Sequence, residues 1–328
     1  MYVFFRYLSF LSFCFIPVLA FCTPQYDSNV TPSQLNSICR ANSIAARVNG
    51  VEVNLIIDPS LRSYVILNSD SAKKLGLTKS SFSSAETYVR DKLIKGNVAK
   101  TRIEVNGKKG KTRIVWFERN YIHDSTYDGV IGIGELGTKS VDLEICDHNN
   151  IRNKKLGEED YLITSIPFKY QNNRIVMDSL LPDTLNVMLD FNRSNVTLGS
   201  DAYGYMLSQS MLQKLNEYSY QELEFGYYLP SRRVLLQAPV LQGVMIDSEN
   251  VFAPIAEHQM VDDQSGVING KTIDATEDMA VYGYKAGDDA KFKSFVKLGS
   301  KSLPDCRSVT FDMKKKLISF SCLKNRSE

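Results

Sequence analysis

The sequence lacks the charge excess, the histidine clusters and the metal-type cysteine spacings that mark several common classes of protein. Its 39 basic and 37 acidic residues leave a formal charge of +2, so we expect neither nucleic acid nor an anionic membrane as a partner. The three histidines (His123, His148 and His258) are scattered along the chain, and no cysteine pair has the spacing of metal ligands. We therefore expect no metal site.

The N-terminus carries an apolar run between one early cation and a pair of small residues. In "MYVFFRYLSFLSFCFIPVLAFC", Arg6 lies near the start, and Val18 and Ala20 occupy positions typical of a signal-peptidase site. The sequence predicts a signal peptide over residues 1–20 and export to the periplasm or cell exterior, with no membrane in the mature form. A membrane anchor and a lipid-anchored Cys22 are the alternatives, but the run is short for a span and Phe21 is bulky for lipidation.

Export makes disulfide bonds possible, and removal of residues 1–20 leaves five cysteines. Cys306 and Cys322 lie symmetrically about the turn in "CRSVTFDMKKKLISFSC", so a hairpin places them opposite each other. The sequence predicts a Cys306–Cys322 disulfide. Pairing among Cys22, Cys39 and Cys146 stays open, and one of these three is left over or pairs with another chain.

Short alternating runs bounded by turn residues predict a mainly β fold. Asn49-Gly50 separates two such runs, and Asn106-Gly107 repeats the design further along. Further strands are predicted at 175–177, 186–191, 195–198, 233–237, 243–247, 309–312 and 317–321. Helical periodicity is confined to short pieces at 71–75 and 205–218. The predicted fold class is all-β with a few short helices.

A pair of acids in similar surroundings indicates an internal repeat. Asp58 in "LIIDPSLRSYVIL" and Asp247 in "VMIDSENVFAPIA" each follow an apolar run that resumes after a short turn. An apolar-Gly segment follows each: "YDGVIGIGEL", which contains Gly132, and "FVKLGSKSL", which contains Gly299. Two copies of this arrangement predict two similar lobes with the two acids at their junction.

The lobes are assigned to residues 21–200 and to a smaller C-terminal part, 201–328. Asp190 and Asp312 also lie beside predicted strands, but polar turns come directly after them. We therefore interpret both as turn residues.

These segments resemble those of the pepsin-type aspartic peptidases, over roughly residues 45 to 322. The resemblance implies a two-lobed pepsin-like acid-protease fold in which Asp58-Pro59-Ser60 and Asp247-Ser248-Glu249 are the two catalytic loops. It further implies that Asp58 and Asp247 share a proton and activate water, without a cofactor, against an extended polypeptide. Because both halves lie in one chain, we expect a monomer.

The loops depart from the family pattern. Pro59 has neither the hydroxyl nor the amide hydrogen that locks the family's loops together, and Glu249 adds a negative charge near the acids unless it turns outward. The resemblance assigns supporting roles in the loops to Ser60, Ser248, Asn250, Gly132 and Gly299. It also makes Tyr88, in "ETYVRDKLIKGNVAK", the candidate substrate-binding tyrosine of a hairpin flap; the alternative is a surface tyrosine on an ordinary strand.

Three functions follow from these observations. The first is a secreted or periplasmic aspartic endopeptidase. The second is a catalytically inactive relative that binds peptides or proteins through the cleft that the resemblance implies between the two lobes. The intact acids favour the first function, and Pro59 and Glu249 favour the second. The third is an unrelated all-β secreted binding protein in which the paired motifs are coincidental.

Overall fold

The structure is a computed structural model that describes residues 42–324, except 82, 90–91, 123, 146–156, 172, 223–224, 226–227 and 255–293. The predicted signal peptide and Cys22, Cys39 and Cys146 lie outside the described residues. In the described part of the chain, no helix is long and apolar enough to cross a membrane.

Seven strands form the first sheet. They are β1 (Ser43–Val48), β2 (Val51–Asp58), β3 (Val65–Leu67), β4 (Ser84–Val89), β5 (Lys92–Val105), β6 (Lys108–Phe117) and β7 (Gly129–Gly132), with helix α1 (Ser69–Lys74) after β3. Their order is β1-β2-β7-β3-β6-β5-β4, and pairing of β1 with β5 closes six of them into a mixed barrel. Asn49-Gly50 and Asn106-Gly107 make the β1–β2 and β5–β6 turns with positive φ at both residues, which confirms the two predicted hairpins.

Eleven strands form the second sheet. They are β8 (Ser140–Glu144), β9 (Tyr161–Gln171), β10 (Arg174–Met177), β11 (Asn186–Leu189), β12 (Val196–Leu198), β13 (Leu212–Glu222), β14 (Tyr228–Leu236), β15 (Val251–Pro254), β16 (Phe295–Leu298), β17 (Cys306–Asp312) and β18 (Leu317–Leu323), with helix α2 (Ser200–Ser208) after β12. Their order is β13-β14-β15-β12-β16-β11-β10-β9-β18-β17-β8. The fold is therefore mainly β with few short helices, as predicted. The second sheet begins at Ser140, so the lobe boundary predicted at residue 200 falls inside it.

Two local predictions differ from the structure. The predicted helix at 205–218 ends at Ser208, and Ser210 takes a positive φ before β13 begins. Residues 243–247, predicted as a strand, form only an isolated bridge from Val244 to Leu241 and then irregular backbone. Val244 and Ile246 pack in the main core without strand pairing beyond that bridge, whereas Met245 between them is exposed.

The predicted disulfide is present. Cys306 and Cys322 lie opposite each other in the β17–β18 hairpin, next to a register shift in β17, and their sulfurs are bonded. The cross-link lies within the part of the second sheet that β8, β9, β17 and β18 form.

One apolar core runs through both sheets, with fully buried side chains such as Leu55 and Ile114 from the first and Phe311 and Phe320 from the second. Burial of each such side chain contributes about 1.5–3 kcal/mol. A smaller cluster lies on β5 and β6, where Phe225 from between β13 and β14 packs against the first sheet.

Candidate active site

The two sheets contain the same ladder of six strands. β2-β7-β3-β6-β5-β4 in the first sheet corresponds to β11-β16-β12-β15-β14-β13 in the second. The strand directions match as well, since β2 runs parallel to β7 as β11 does to β16, and β7 runs antiparallel to β3 as β16 does to β12. The strand equivalent to β2 is therefore β11.

Asp58 and Asp190 occupy equivalent positions in this repeat. Asp58 ends β2 opposite Gly132, and Asp190 directly follows β11, where its amide donates to the Leu298 carbonyl at 2.9 Å. Each acid opens the same tight turn: the Leu61 amide donates to the Asp58 carbonyl at 3.2 Å, and the Arg193 amide donates to the Asp190 carbonyl at 3.1 Å. Asp190, whose sequence context predicts a turn residue, is therefore the counterpart of Asp58.

Gly132 and Gly299 are equivalent to each other, and both hold the returning backbone against an Asp loop. The Gly132 amide donates to the Tyr64 carbonyl at 2.9 Å, and the Gly299 amide donates to the Asn195 carbonyl at 3.1 Å. A Cβ on Gly132 would lie 3.0 Å from backbone atoms of Ser63, and one on Gly299 would lie 2.5 Å from the Asn195 carbonyl oxygen. A side chain at either position would therefore push the loop away.

Asp247 lies elsewhere in the repeat. It is in the connection between β14 and β15, which corresponds to the β5–β6 turn and not to the end of β2. Its carboxylate accepts the Glu249 amide at 2.8 Å and the Asn250 side-chain amide at 2.6 Å, as in a local turn. The structure gives Asp247 the role of a turn-capping acid, and the sequence prediction that it is the counterpart of Asp58 is corrected accordingly.

The neighbours of Asp247 serve the same connection. The carbonyl of Ser248 accepts the Leu236 amide at 2.9 Å. The Glu249 side chain is 70% exposed and points outward, 3.8 Å from the Arg233 guanidinium. These contacts hold the entrance to β15, and the Asp247 amide donates to the Ser302 carbonyl at 2.9 Å.

Strand β10 ties the first Asp loop to the second half of the molecule. The Ile175 amide donates to the Ser60 carbonyl at 2.9 Å, and the Arg62 amide donates to the Asn173 carbonyl at 3.0 Å. The same strand pairs with β11 through Met177. Asp58 is therefore attached to the strand next to the one that carries Asp190.

Asp58 is buried, with 2% of its surface exposed, and its pKa lies above the ordinary value of 3.8. Burial is the largest cause of the raised pKa, and the negative charge of Asp190 is the next. The Arg174 charge and the Ser60 hydrogen bonds oppose this shift. Ser60 donates both its amide, at 2.8 Å, and its hydroxyl, at 2.7 Å, to one oxygen of Asp58, and Arg174 in turn donates to that hydroxyl at 3.0 Å.

Asp190 is buried as well, but its neighbours are cations. One oxygen of its carboxylate lies 3.1 Å from the Arg193 Nε and 3.4 Å from the Lys297 Nζ. Side chains of all three are at most 13% exposed. The two carboxyl groups thus share a mutual electrostatic field but differ in their immediate partners.

The equivalence of Asp190 and Asp58 can be recognised in the sequence when β2 and its following loop are aligned with β11 and its following loop. Asn54 precedes Asp58 by four residues and Ser69-Asp70 opens the following helix, while Asn186 precedes Asp190 by four and Ser200-Asp201 opens the second helix. The loop of the second unit is one residue shorter.

Tyr88 lies near the tip of the β4–β5 hairpin, where its backbone pairs with Leu93. The hairpin that the sequence predicted around Tyr88 is present, and the role of its side chain in binding stays a prediction. The residue after each acid, Pro59 or Phe191, carries no hydroxyl group.

Two coupled, buried carboxyl groups can act together as a general acid and a general base, since one can carry a proton while the other is ionised. Within the described residues, no three histidine, cysteine, aspartate or glutamate side chains lie close enough together to hold a metal ion. Comparison of the sequence with models of known protein families and with curated proteins found no match.

Proposed function

We propose that this protein is a secreted relative of the pepsin-type aspartic peptidases, with a two-lobed pepsin-like fold and an acid pair formed by Asp58 and Asp190. The observation that carries the proposal is the equivalence of these two acids in a repeated six-stranded ladder, together with the effect of one charge on the other. The proposal keeps the resemblance to this family. It replaces Asp247 by Asp190 as the second acid of the pair.

The proposed reaction is hydrolysis of a peptide bond by water. The ionised carboxylate takes a proton from the water as it attacks the scissile carbonyl, and the protonated carboxyl donates a proton to the carbonyl oxygen, which gives a tetrahedral diol. The C–N bond then breaks as the newly protonated carboxyl gives its proton to the leaving amine and the other carboxylate takes back a proton from the diol. Because the two carboxyl groups interact, the apparent pKa values of the two protonation steps describe the pair and not either residue alone. No cofactor enters this reaction.

The proposed substrate is an extended polypeptide. The β4–β5 hairpin that carries Tyr88 extends from the barrel, and an extended chain can bind along such a strand edge through main-chain hydrogen bonds. Since both Asp loops come from one chain, the proposal needs no second subunit, and we expect the exported protein to act as a monomer.

A second function, peptide binding without hydrolysis, has its own structural support. Pro59 and Phe191 lack the hydroxyl groups expected beside the acids, and Asp190 is held by two cations. Two close cations engage this carboxylate in an ion pair, a contact that also suits a structural role in the loop. On this reading the cleft grips a polypeptide and the acid pair maintains the loops.

The deciding experiment measures cleavage of an unfolded protein at about pH 4 by the wild type and three variants. We expect Asp58→Asn and Asp190→Asn each to lower the rate by at least a hundredfold, because each removes one member of the acid pair. Asp247→Asn is the matched control and should retain most of the activity, because Asp247 caps a turn.

Loss of activity in Asp247→Asn together with normal activity in Asp190→Asn would overturn the assignment. A wild type that cleaves nothing but binds the unfolded chain saturably would support the second function. A wild type with neither cleavage nor binding would contradict both.

A further inference from the structure

The two Asp loops are built on the same backbone but have different side chains at two equivalent positions. Leu61 in the first loop corresponds to Arg193 in the second, since each donates its amide back to the carbonyl of its Asp. On the strand behind the loop, Val130 lies opposite Ile56 as Lys297 lies opposite Met188, so Val130 corresponds to Lys297. An apolar pair in the first half is thus replaced by a pair of cations in the second.

The surroundings of the two pairs explain the exchange. Leu61 and Val130 lie in one buried apolar cluster with Ile56. Arg193 and Lys297 both reach one carboxylate oxygen of Asp190, at 3.1 and 3.4 Å. Buried charges persist only when they are paired, so the second half replaces an apolar contact by an ionic one centred on the acid.

The charges that face the two acids differ in the same sense. The hydrogen bonds to the Asp58 carboxyl come from the neutral amide and hydroxyl of Ser60, and Arg174 acts on it through that hydroxyl. Asp190 contacts Arg193 and Lys297 directly. The pseudosymmetry of the backbone is therefore broken electrostatically: of the three cations that the described residues place near the acids, Arg193 and Lys297 contact Asp190, and Arg174 reaches Asp58 only through the Ser60 hydroxyl.

We propose that Arg193 and Lys297 are positioning residues that keep Asp190 ionised, so that Asp190 is the base of the pair and Asp58 carries the proton. The reaction roles rest on the proposed function, whereas the protonation states do not. An anionic Asp190 adds to the burial that already disfavours charge on Asp58, which agrees with the raised pKa of Asp58.

The test follows protonation directly and needs no substrate. Aspartate labelled with ¹³C at the side-chain carboxyl is incorporated into the full chain, and the two signals are assigned with Asp58→Asn and Asp190→Asn. In the wild type we expect Asp190 to be ionised over a pH range in which Asp58 is still protonated. The reverse order of protonation in the wild type would by itself overturn the proposal, before any variant of Arg193 or Lys297 is made.

Variants then test the two cations. In Lys297→Met and Arg193→Met we expect Asp190 to take up its proton at a pH about one unit or more higher and Asp58 to release its proton at a lower pH. Lys297→Arg keeps the charge and should restore the wild-type titrations. Lys315→Met removes an exposed lysine paired with Asp312 and is the control that should leave both acids unchanged.

Unchanged titrations in folded Lys297→Met and Arg193→Met proteins would reduce the cations to a structural role and contradict the proposal. A wild type without peptidase activity would contradict the proposed hydrolysis and leave these titrations as informative as before. The two failures are therefore distinguishable.

Discussion

Asp58 illustrates how one buried side chain carries both the local structure and the chemistry of a site. Its carboxyl group lies at the end of a strand whose last four residues are buried. Ser60 donates two hydrogen bonds, one from its amide and one from its hydroxyl, to one oxygen of this carboxyl group. The neutral form is favoured by burial and by the neighbouring negative charge. A group in this state is suited to donate a proton and costs stability when it ionises.

The raised pKa of Asp58 predicts a definite dependence of stability on pH. Below the ordinary pKa of 3.8 the group is protonated in both folded and unfolded chains, so it contributes no difference. As the pH rises from 3.8 through the raised folded pKa, the unfolded chain ionises first, and the wild type loses folding free energy. Asp58→Asn escapes this loss, so its stability relative to the wild type should increase between pH 3 and neutral pH.

Denaturant titrations of both proteins at several pH values measure this difference. Asp183→Asn is the control, because Asp183 has a 99% exposed side chain whose ion pair contributes little to stability. A difference between Asp58→Asn and the wild type that falls on raising the pH would contradict the buried, proton-favouring environment.

At the residue scale, the sequence drew attention to Asp58 but not to the acid at the equivalent position, for a physical reason. Asp58 is flanked by apolar residues, so its cost in a strand demands an explanation. Asp190 is followed by Phe191 and then by Asn192, Arg193 and Ser194, and these last three have the composition of a solvated turn. Only the fold shows that Arg193 folds back onto the acid, which is buried, and that the Arg193 side chain is itself only 13% exposed.

At the scale of elements, local signals predicted well and inserted strands did not. Each of the two Asn-Gly turns depends on the four consecutive residues that form it, and both turns were predicted correctly. The segment from β11 to β12 also has the pattern of a hairpin, but β16 lies between these strands and pairs with both. Since β16 is about a hundred residues further along the chain, no local pattern in 186–198 contains that information.

The close approach of the returning backbone at the two glycines predicts an order of damage. A Cβ at position 299 would meet backbone atoms at 2.5–2.6 Å, and one at position 132 would meet them at 3.0–3.1 Å. We expect Gly299→Ala to destabilise more than Gly132→Ala, which should cost about 1–3 kcal/mol.

Gly204→Ala is the matched control, because its Cβ meets nothing within 4 Å and alanine is favoured in helix α2 by about 0.5–1 kcal/mol. Thermal or urea unfolding of the three variants measures the order. Equal effects at 132 and 299, or a loss at 204, would contradict the packing described.

At the scale of the whole molecule, Phe225, which lies between β13 and β14, connects the hairpin of these two strands to the first sheet. Its ring is 2% exposed and lies 4.7 Å from the Phe117 ring and 5.2 Å from the Tyr121 ring, edge to face in both cases. Val98 and Val115 complete the cluster. This contact connects the two sheets by side-chain packing, and the Phe225 amide also donates to the Tyr121 carbonyl at 3.4 Å.

Phe225→Ala should therefore lower the free energy of unfolding by about 3–5 kcal/mol, since it removes a buried aromatic ring and leaves a cavity. Denaturant unfolding measures the loss. Leu162→Ala is the control, because Leu162 is 53% exposed and should change stability little. A loss at Phe225 no larger than that at Leu162 would show that the contact between the sheets carries no energy.

The fourteen-residue strand β5 has a mechanical consequence for the molecule. Its first part pairs with β4 to form the hairpin, its last part pairs with β1 to close the barrel, and β6 accompanies it from Gly96 onward. On its β5 side the hairpin therefore continues into the barrel without a loop. A swing of the hairpin requires β5 to bend near Gly96, where the ladder to β6 begins and where the Phe117 ring leaves no space for a side chain.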